Sequence, residues 1–100
     1  MAEIIWTDPA LQTLDGLAEY IALDNPAAAR RLVSEIFTKI ERLQDFPDSG
    51  RTPPELPQSV YRERVVPPCR IFYRTDNTQV FILYVMREER KLRAFMLGNP

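Results

Sequence analysis

Apolar and polar positions change period twice along this chain. Ala2 to Trp6 is short, apolar and β-prone, and reads as a first strand. Asp8-Pro9 then supplies a helix start. An Asp at the N-cap accepts from orphan amides, and Pro suits the first helical position. Leu11, Leu14, Ala18 and Ile21 follow at helical spacing with Leu17 beside them, so the helix should end near Leu23. Asn25-Pro26 repeats the start signal. Ala29, Leu32, Val33, Ile36, Ile40 and Leu43 form one apolar stripe. Arg30, Arg31, Glu35, Lys39 and Arg42 lie off it and should face water. Glu35 precedes Lys39 by four residues, the favourable order for a surface ion pair. With only Asp24 and Asn25 between them, the two helices should form an antiparallel hairpin.

From Asp45 to Gln58 no period survives, because Pro47, Gly50, Pro53, Pro54 and Pro57 exclude a helix or a central strand. This loop is either a stiff crossover or, being long, a functional segment. Three β-rich runs follow: Tyr61–Val66, Cys69–Arg74 and Val80–Val85. Pro67-Pro68 breaks the first two apart. Asp76-Asn77 is a turn signal joining the last two into an antiparallel hairpin. The tail turns apolar at Leu92, Phe95, Met96 and Leu97, which leaves both a short final helix and an extended edge segment open. The predicted class is α+β in the order β-α-α-β-β-β, one domain over residues 1–100, with the helical hairpin packed on a mostly antiparallel sheet. Leu14, Ile21, Leu32, Ile36 and Ile40 should be buried between them. The other face of the sheet should be free and carry many of the arginines.

Charge sharpens this picture. The net formal charge is −1, yet residues 1–50 hold four basic and nine acidic groups, and residues 51–100 hold nine basic and five acidic ones. Arg62, Arg64, Arg70, Arg74, Arg87, Arg90 and Arg93 are strung along and beyond the three strands. An arginine-rich sheet suggests an acidic partner; a solvated face with no partner is the competing reading. Cys69 is alone, so no internal disulfide and no cysteine-based zinc site are expected. Neither a signal peptide nor a membrane-spanning run is visible, which points to the cytoplasm.

The chain contains no histidine, the commonest general acid–base at neutral pH. No glycine-rich phosphate loop and no metal-ligand cluster stands out, so no cofactor, metal or catalytic residue is expected. A metal-independent ribonuclease remains the serious enzymatic alternative. It would draw charge from Arg64, Arg70 and Arg87, a proton donor from Tyr73 or Tyr84, and a base from Glu63 or Glu88.

Several strings together resemble the RelE/ParE toxin superfamily. Trp6-Thr7 with Ala10 and Leu11 is similar to its opening. Tyr20-Ile21-Ala22 with Asn25-Pro26 and Ala28-Ala29 is similar to its hairpin, and Phe46-Pro47-Asp48-Ser49-Gly50-Arg51 resembles its FPxxGR segment. Arg64-Val65-Val66 and Arg70-Ile71-Phe72-Tyr73-Arg74 complete the pattern. The hairpin and the FPxxGR segment look more like the ParE branch. That resemblance implies a toxin, of the plasmid-stabilising kind, that poisons DNA gyrase by binding, and a ParD-like antitoxin that neutralises it. RelE-like relatives instead cut mRNA on the ribosome, and Arg70 matches an arginine such nucleases use. The segment Met86-Arg87-Glu88-Glu89-Arg90 and the tail without Tyr depart from the nuclease pattern. A degenerate toxin that only binds its antitoxin is a third alternative. For the antitoxin the expected contacts are Leu14, Tyr20, Leu32, Phe37, Arg70, Arg87 and Phe95, in an apolar groove rimmed by basic groups. Leu14 and Leu32 have the core as their competing place. For the target they are Arg64, Arg70, Arg87 and Arg90.

Overall fold

The computed structural model describes residues 1–98. Strand β1 (Glu3–Trp6) leads into helices α1 (Asp8–Ala22) and α2 (Pro26–Glu41), and α2 ends in a 3-10 turn (Arg42–Gln44). Strands β2 (Arg62–Val66), β3 (Cys69–Asp76) and β4 (Gln79–Arg87) follow, then a 3-10 turn at Ala94–Leu97. The α+β order is as the pattern predicts. The sheet runs β1-β4-β3-β2. Only the β1–β4 pair is parallel, with Trp6 opposite Ile82. Both remaining pairs are antiparallel.

Local chemistry explains the helix boundaries. The α1 cap is Thr7, not Asp8: Thr7 has an extended backbone, and its Oγ1 accepts from Ala10 N–H at 3.3 Å. Thr7 wins because its hydroxyl also donates to Ile82 O at 2.7 Å, so one side chain starts the helix and ties it to β4. Asp8 moves into the first turn, where its charge complements the helix N-terminus. Asn25 caps α2 as expected, accepting from Ala28 N–H at 3.0 Å. Glu35 and Lys39 pair at 3.9 Å. The turn between β3 and β4 falls one residue later than the sequence signal. Asp76 stays in the ladder and Asn77 takes the left-handed conformation, φ 52°, which Asn tolerates.

The α1–α2 hairpin closes one face of the sheet. Leu14, Leu32, Ile36, Ile40 and Leu43 pack there against Val66, Ile71, Tyr73, Val80, Ile82 and Val85. Ile21 lies partly buried at its margin. The opposite face is not free. Tyr61, Phe72, Met86, Leu92 and Leu97 form a second buried cluster on it, flanked by Leu56 and Met96. The proline-rich loop and the C-terminal tail supply its cover. Phe72 and Met86 stand on this face because strand side chains alternate, and both are fully buried. An uncovered face bearing them would expose a large apolar patch.

Candidate functional site

The proline loop is held to the sheet by the segment that carried the family resemblance. Gly50 N–H donates to Tyr73 Oη at 2.8 Å, and that hydroxyl donates to Pro47 O at 2.9 Å. Arg51 and Glu63 exchange backbone hydrogen bonds of 3.1 and 2.7 Å, which adds a short rung beside β2. No side chain fits at Gly50: a Cβ would lie 2.5 Å from Tyr73 Oη and 2.6 Å from Glu63 O. Glycine stands here because two strands come too close to the loop for anything larger. Burial pushes the Tyr73 phenol above its ordinary pKa, so this group stays protonated as a structural donor.

Below the loop lies the most charged cluster of the described residues. Arg70 projects from β3 and donates to both carboxylates beside it. Its Nη2 and Nε reach Glu63 at 2.6 and 3.3 Å, and its Nη1 and Nη2 reach Glu55 at 2.8 and 2.7 Å. Arg51 adds a third charge, its Nη2 lying 3.0 Å from Glu63. The Glu63 side chain is wholly buried, so two guanidinium groups are what allow it to ionise there. Glu55 also accepts from Leu92 N–H at 2.9 Å, and Arg70 Nη1 donates to Arg90 O at 3.2 Å. The Arg70 hydrogen bond, with help from Leu92, holds the Glu55 carboxyl down to about 2 against its partial burial. The same pairing raises the Arg70 pKa further above its ordinary value. Phe72 lies under the guanidinium, 4.9 Å to the ring centroid.

A small pocket of about 230 Å³ opens above this cluster, lined by Arg51, Pro54, Glu55, Val65, Arg70 and Glu88. Two cations meet two carboxylates in that lining, with Glu63 beneath. The positive charge of Arg70 is therefore spent inside the protein, and the pocket offers an incoming phosphate no net attraction. The ribonuclease inventory is taken apart in the same way. Glu63 is an ion-pair acceptor, Tyr73 is a loop staple, and Arg70 is buried between carboxylates.

The expected target contacts do not converge on one patch. Arg64 pairs with Ile71 in register and so lies on the helix side, as does Arg87 opposite Cys69. Arg70 is on the other face, and Arg90 is exposed in the turn after β4. Among the expected antitoxin contacts, Leu14 and Leu32 are 3% and 7% exposed, packed in the helix-side core. Their stripe positions face the sheet, which removes them from any accessible set. Arg70 is removed by its ion pairs. Phe37 is half-exposed and stacks on Trp6, ring centroids 4.7 Å apart. Tyr20 and Phe95 are 67% and 80% exposed. Tyr20, Arg87 and Arg90 do come together, along a groove of about 310 Å³ between α1 and β4. Its other lining residues are Thr13, Gly16, Leu17, Tyr84, Val85 and Met86. A second apolar cleft, about 470 Å³, runs between the helices over Ala18, Ala22, Pro26, Ala29 and Val33. Sequence reasoning missed Glu55, whose loop has no periodicity to mark it. It also missed Thr13 and Gly16, though a lone glycine in mid-helix was a signal.

The comparisons with known proteins agree with this architecture. Residues 4–92 match the family model described as the ParE toxin of the type II toxin–antitoxin system parDE. Toxin RelE2 of Caulobacter vibrioides is 33% identical over 91 residues, spanning 90% of this chain and 99% of that protein. Among solved structures, the chromosomal ParDE system from P. aeruginosa superposes with a TM-score of 0.73 at 24% identity. That match covers 89% of this chain and 98% of the other. It shares the fold. With the family model spanning most of its length, this chain belongs to the ParE toxins of type II toxin–antitoxin systems.

Proposed function

We propose that this toxin acts as a stoichiometric binder of DNA gyrase in the cytoplasm, is neutralised by a ParD-like antitoxin, and uses no catalytic residue of its own. The observation that carries this reading is the state of Arg70. It is the one arginine that matches a nuclease position, and its guanidinium is saturated by Glu55, Glu63 and Arg90 O. Freeing it would leave the buried Glu63 short of a partner, at a cost of about 3–5 kcal/mol. The absence of histidine supports the same conclusion. The exposed arginines Arg64, Arg87 and Arg90 are then target contacts, and Tyr20, Phe37, Phe95 and Arg87 antitoxin contacts.

The test is purified protein assayed side by side for inhibition of gyrase supercoiling and for ribosome-dependent mRNA cleavage. A binder should inhibit supercoiling at near-equimolar ratio. Alanine at Arg64, Arg87 or Arg90 should then weaken inhibition in graded steps, because interface energy is unevenly shared. A second reading follows from the relative named RelE2: a RelE-like ribosome-dependent mRNA endoribonuclease. mRNA cleavage with supercoiling untouched would establish it, and loss of a catalytic group would then lower the rate by orders of magnitude. Inactivity in both assays, with the antitoxin still bound, would identify a degenerate toxin kept as an antitoxin-binding module.

A further inference from the structure

Strand β4 is nine residues long, while its parallel neighbour β1 has four. β1 covers Gln79 to Ile82 and then turns away into α1. Thr7 N–H closes the ladder on Ile82 O at 3.1 Å. Beyond that point α1, not a strand, stands beside β4. Thr13 Oγ1 accepts from Val85 N–H at 3.0 Å and satisfies that one donor. Glu88 N–H bonds to Pro68 O on the opposite side of the strand. Strand alternation therefore points the Arg87 N–H and the Val85 C=O at the side β1 never reaches. An open sheet edge of this kind is a template for another strand.

The facing wall of the groove carries an independent sign. Thr13, Gly16, Leu17 and Tyr20 fall on one stripe of α1 and line the groove against β4. Gly16 sits in mid-helix, where glycine is unfavourable relative to alanine. A Cβ built on it meets nothing within 4 Å. No contact inside this protein requires a glycine there; a second backbone drawn close to α1 would. The electrostatics name the character of that backbone. Arg87 and Arg90 line the groove and no carboxylate does. Arg87 pairs only with Glu89, which is exposed and two residues away, so a partner's carboxylate can share or replace it.

We propose that the Leu83–Arg87 edge of β4 takes a fifth strand, an extended acidic segment of the antitoxin, threaded between β4 and the Gly16 stripe of α1. The proposal rests on the antitoxin partnership above. Main-chain bonds to Val85 O and Arg87 N–H set the register. Leu17, Tyr20 and Tyr84 receive the apolar side chains, and Arg87 and Arg90 receive the acidic ones.

The test uses the full-length toxin and the purified product of the adjoining gene, as an intact complex. Exchange of the Arg87 amide should slow by at least about tenfold in the wild-type complex, while Val85, already bonded to Thr13, changes less. Gly16→Leu should fold with an unchanged or raised Tm, yet bind at least about tenfold more weakly; Gly16→Ala should bind between the two. Arg87→Glu with Arg90→Glu should weaken binding most at low salt. An Arg87 amide that exchanges equally in free and bound toxin overturns the proposal whatever the affinities. So does Gly16→Leu binding within about twofold of wild type. If wild-type toxin forms no complex at all, the antitoxin partnership fails along with it; tight binding with either negative result sinks the fifth strand alone.

Discussion

The sheet has two covered faces, and they are covered by different means. Helices α1 and α2 close one with Leu14, Leu32, Ile36, Ile40 and Leu43, an almost purely apolar contact. The proline loop and the tail close the other with fewer apolar residues, and two polar devices complete it. One is the Tyr73 staple on Pro47 and Gly50; the other is the Arg70–Glu55–Glu63 cluster. The helical cover brings its own backbone hydrogen bonds, so it needs only an apolar stripe. An irregular cover has unpaired backbone groups and little area, and side chains of the sheet must satisfy it. The first face should therefore fail globally when a methylene is lost. The second should fail locally when a hydrogen bond or charge is lost.

Removal of Arg70 gives the largest expected effect. Arg70→Ala strands the buried Glu63 and releases Glu55, and should cost about 3–5 kcal/mol. Early proteolysis in the loop and tail, read against global unfolding by denaturant, would show that this face goes first. On the helix side, Ile36→Ala should cost about 2–5 kcal/mol as a cavity mutation. Its unfolding should stay a single transition by both fluorescence and circular dichroism. Two separate transitions in Ile36→Ala would undo the contrast. Gly50→Ala forces a Cβ against Tyr73 Oη and Glu63 O, and about 1–3 kcal/mol of overpacking is expected.

Acid should distinguish the faces more gently. Glu55 has a folded pKa of about 2 against an ordinary 4.5. A depressed carboxylate contributes stability that is complete above its unfolded pKa and is lost as pH falls towards the folded one. Denaturation midpoints should accordingly fall between pH 4.5 and 2. Glu55→Gln, which cannot titrate, should be less stable at neutral pH and show a flatter decline. Smallest of all, Glu35→Ala removes an exposed helix pair and should change stability by no more than about 0.5 kcal/mol.

The fold was legible to different depths in these two regions. The α1 and α2 stripes, the Asn25 cap and the strand positions could be read because period and turn chemistry are local properties. The Asp8 cap was misread because Thr7 gains its advantage from Ile82, distant in sequence. The second face was misread as free because its cover consists of residues without periodicity. Phe46-Pro47-Asp48-Ser49-Gly50-Arg51 could be recognised as a family segment. Its purpose, letting Tyr73 reach Pro47 and Gly50, could not be inferred without the strand beside it.

By itself, then, the sequence determined the order and type of the elements, the helix-side core and the family, since these depend on spacing and short strings. Tertiary structure decided which arginines are available. Arg70, Arg87 and Arg90 are the same residue type within one stretch of chain. Arg70 alone falls beside Glu55 and Glu63 when the loop folds back, and a guanidinium between buried carboxylates is structural. Arg87 and Arg90 come to rest beside an unpaired strand edge and a bare turn of helix, because β1 stops at Trp6. Charge is written in the sequence, but only the distance between groups decides whether that charge is spent within the protein or offered to a partner.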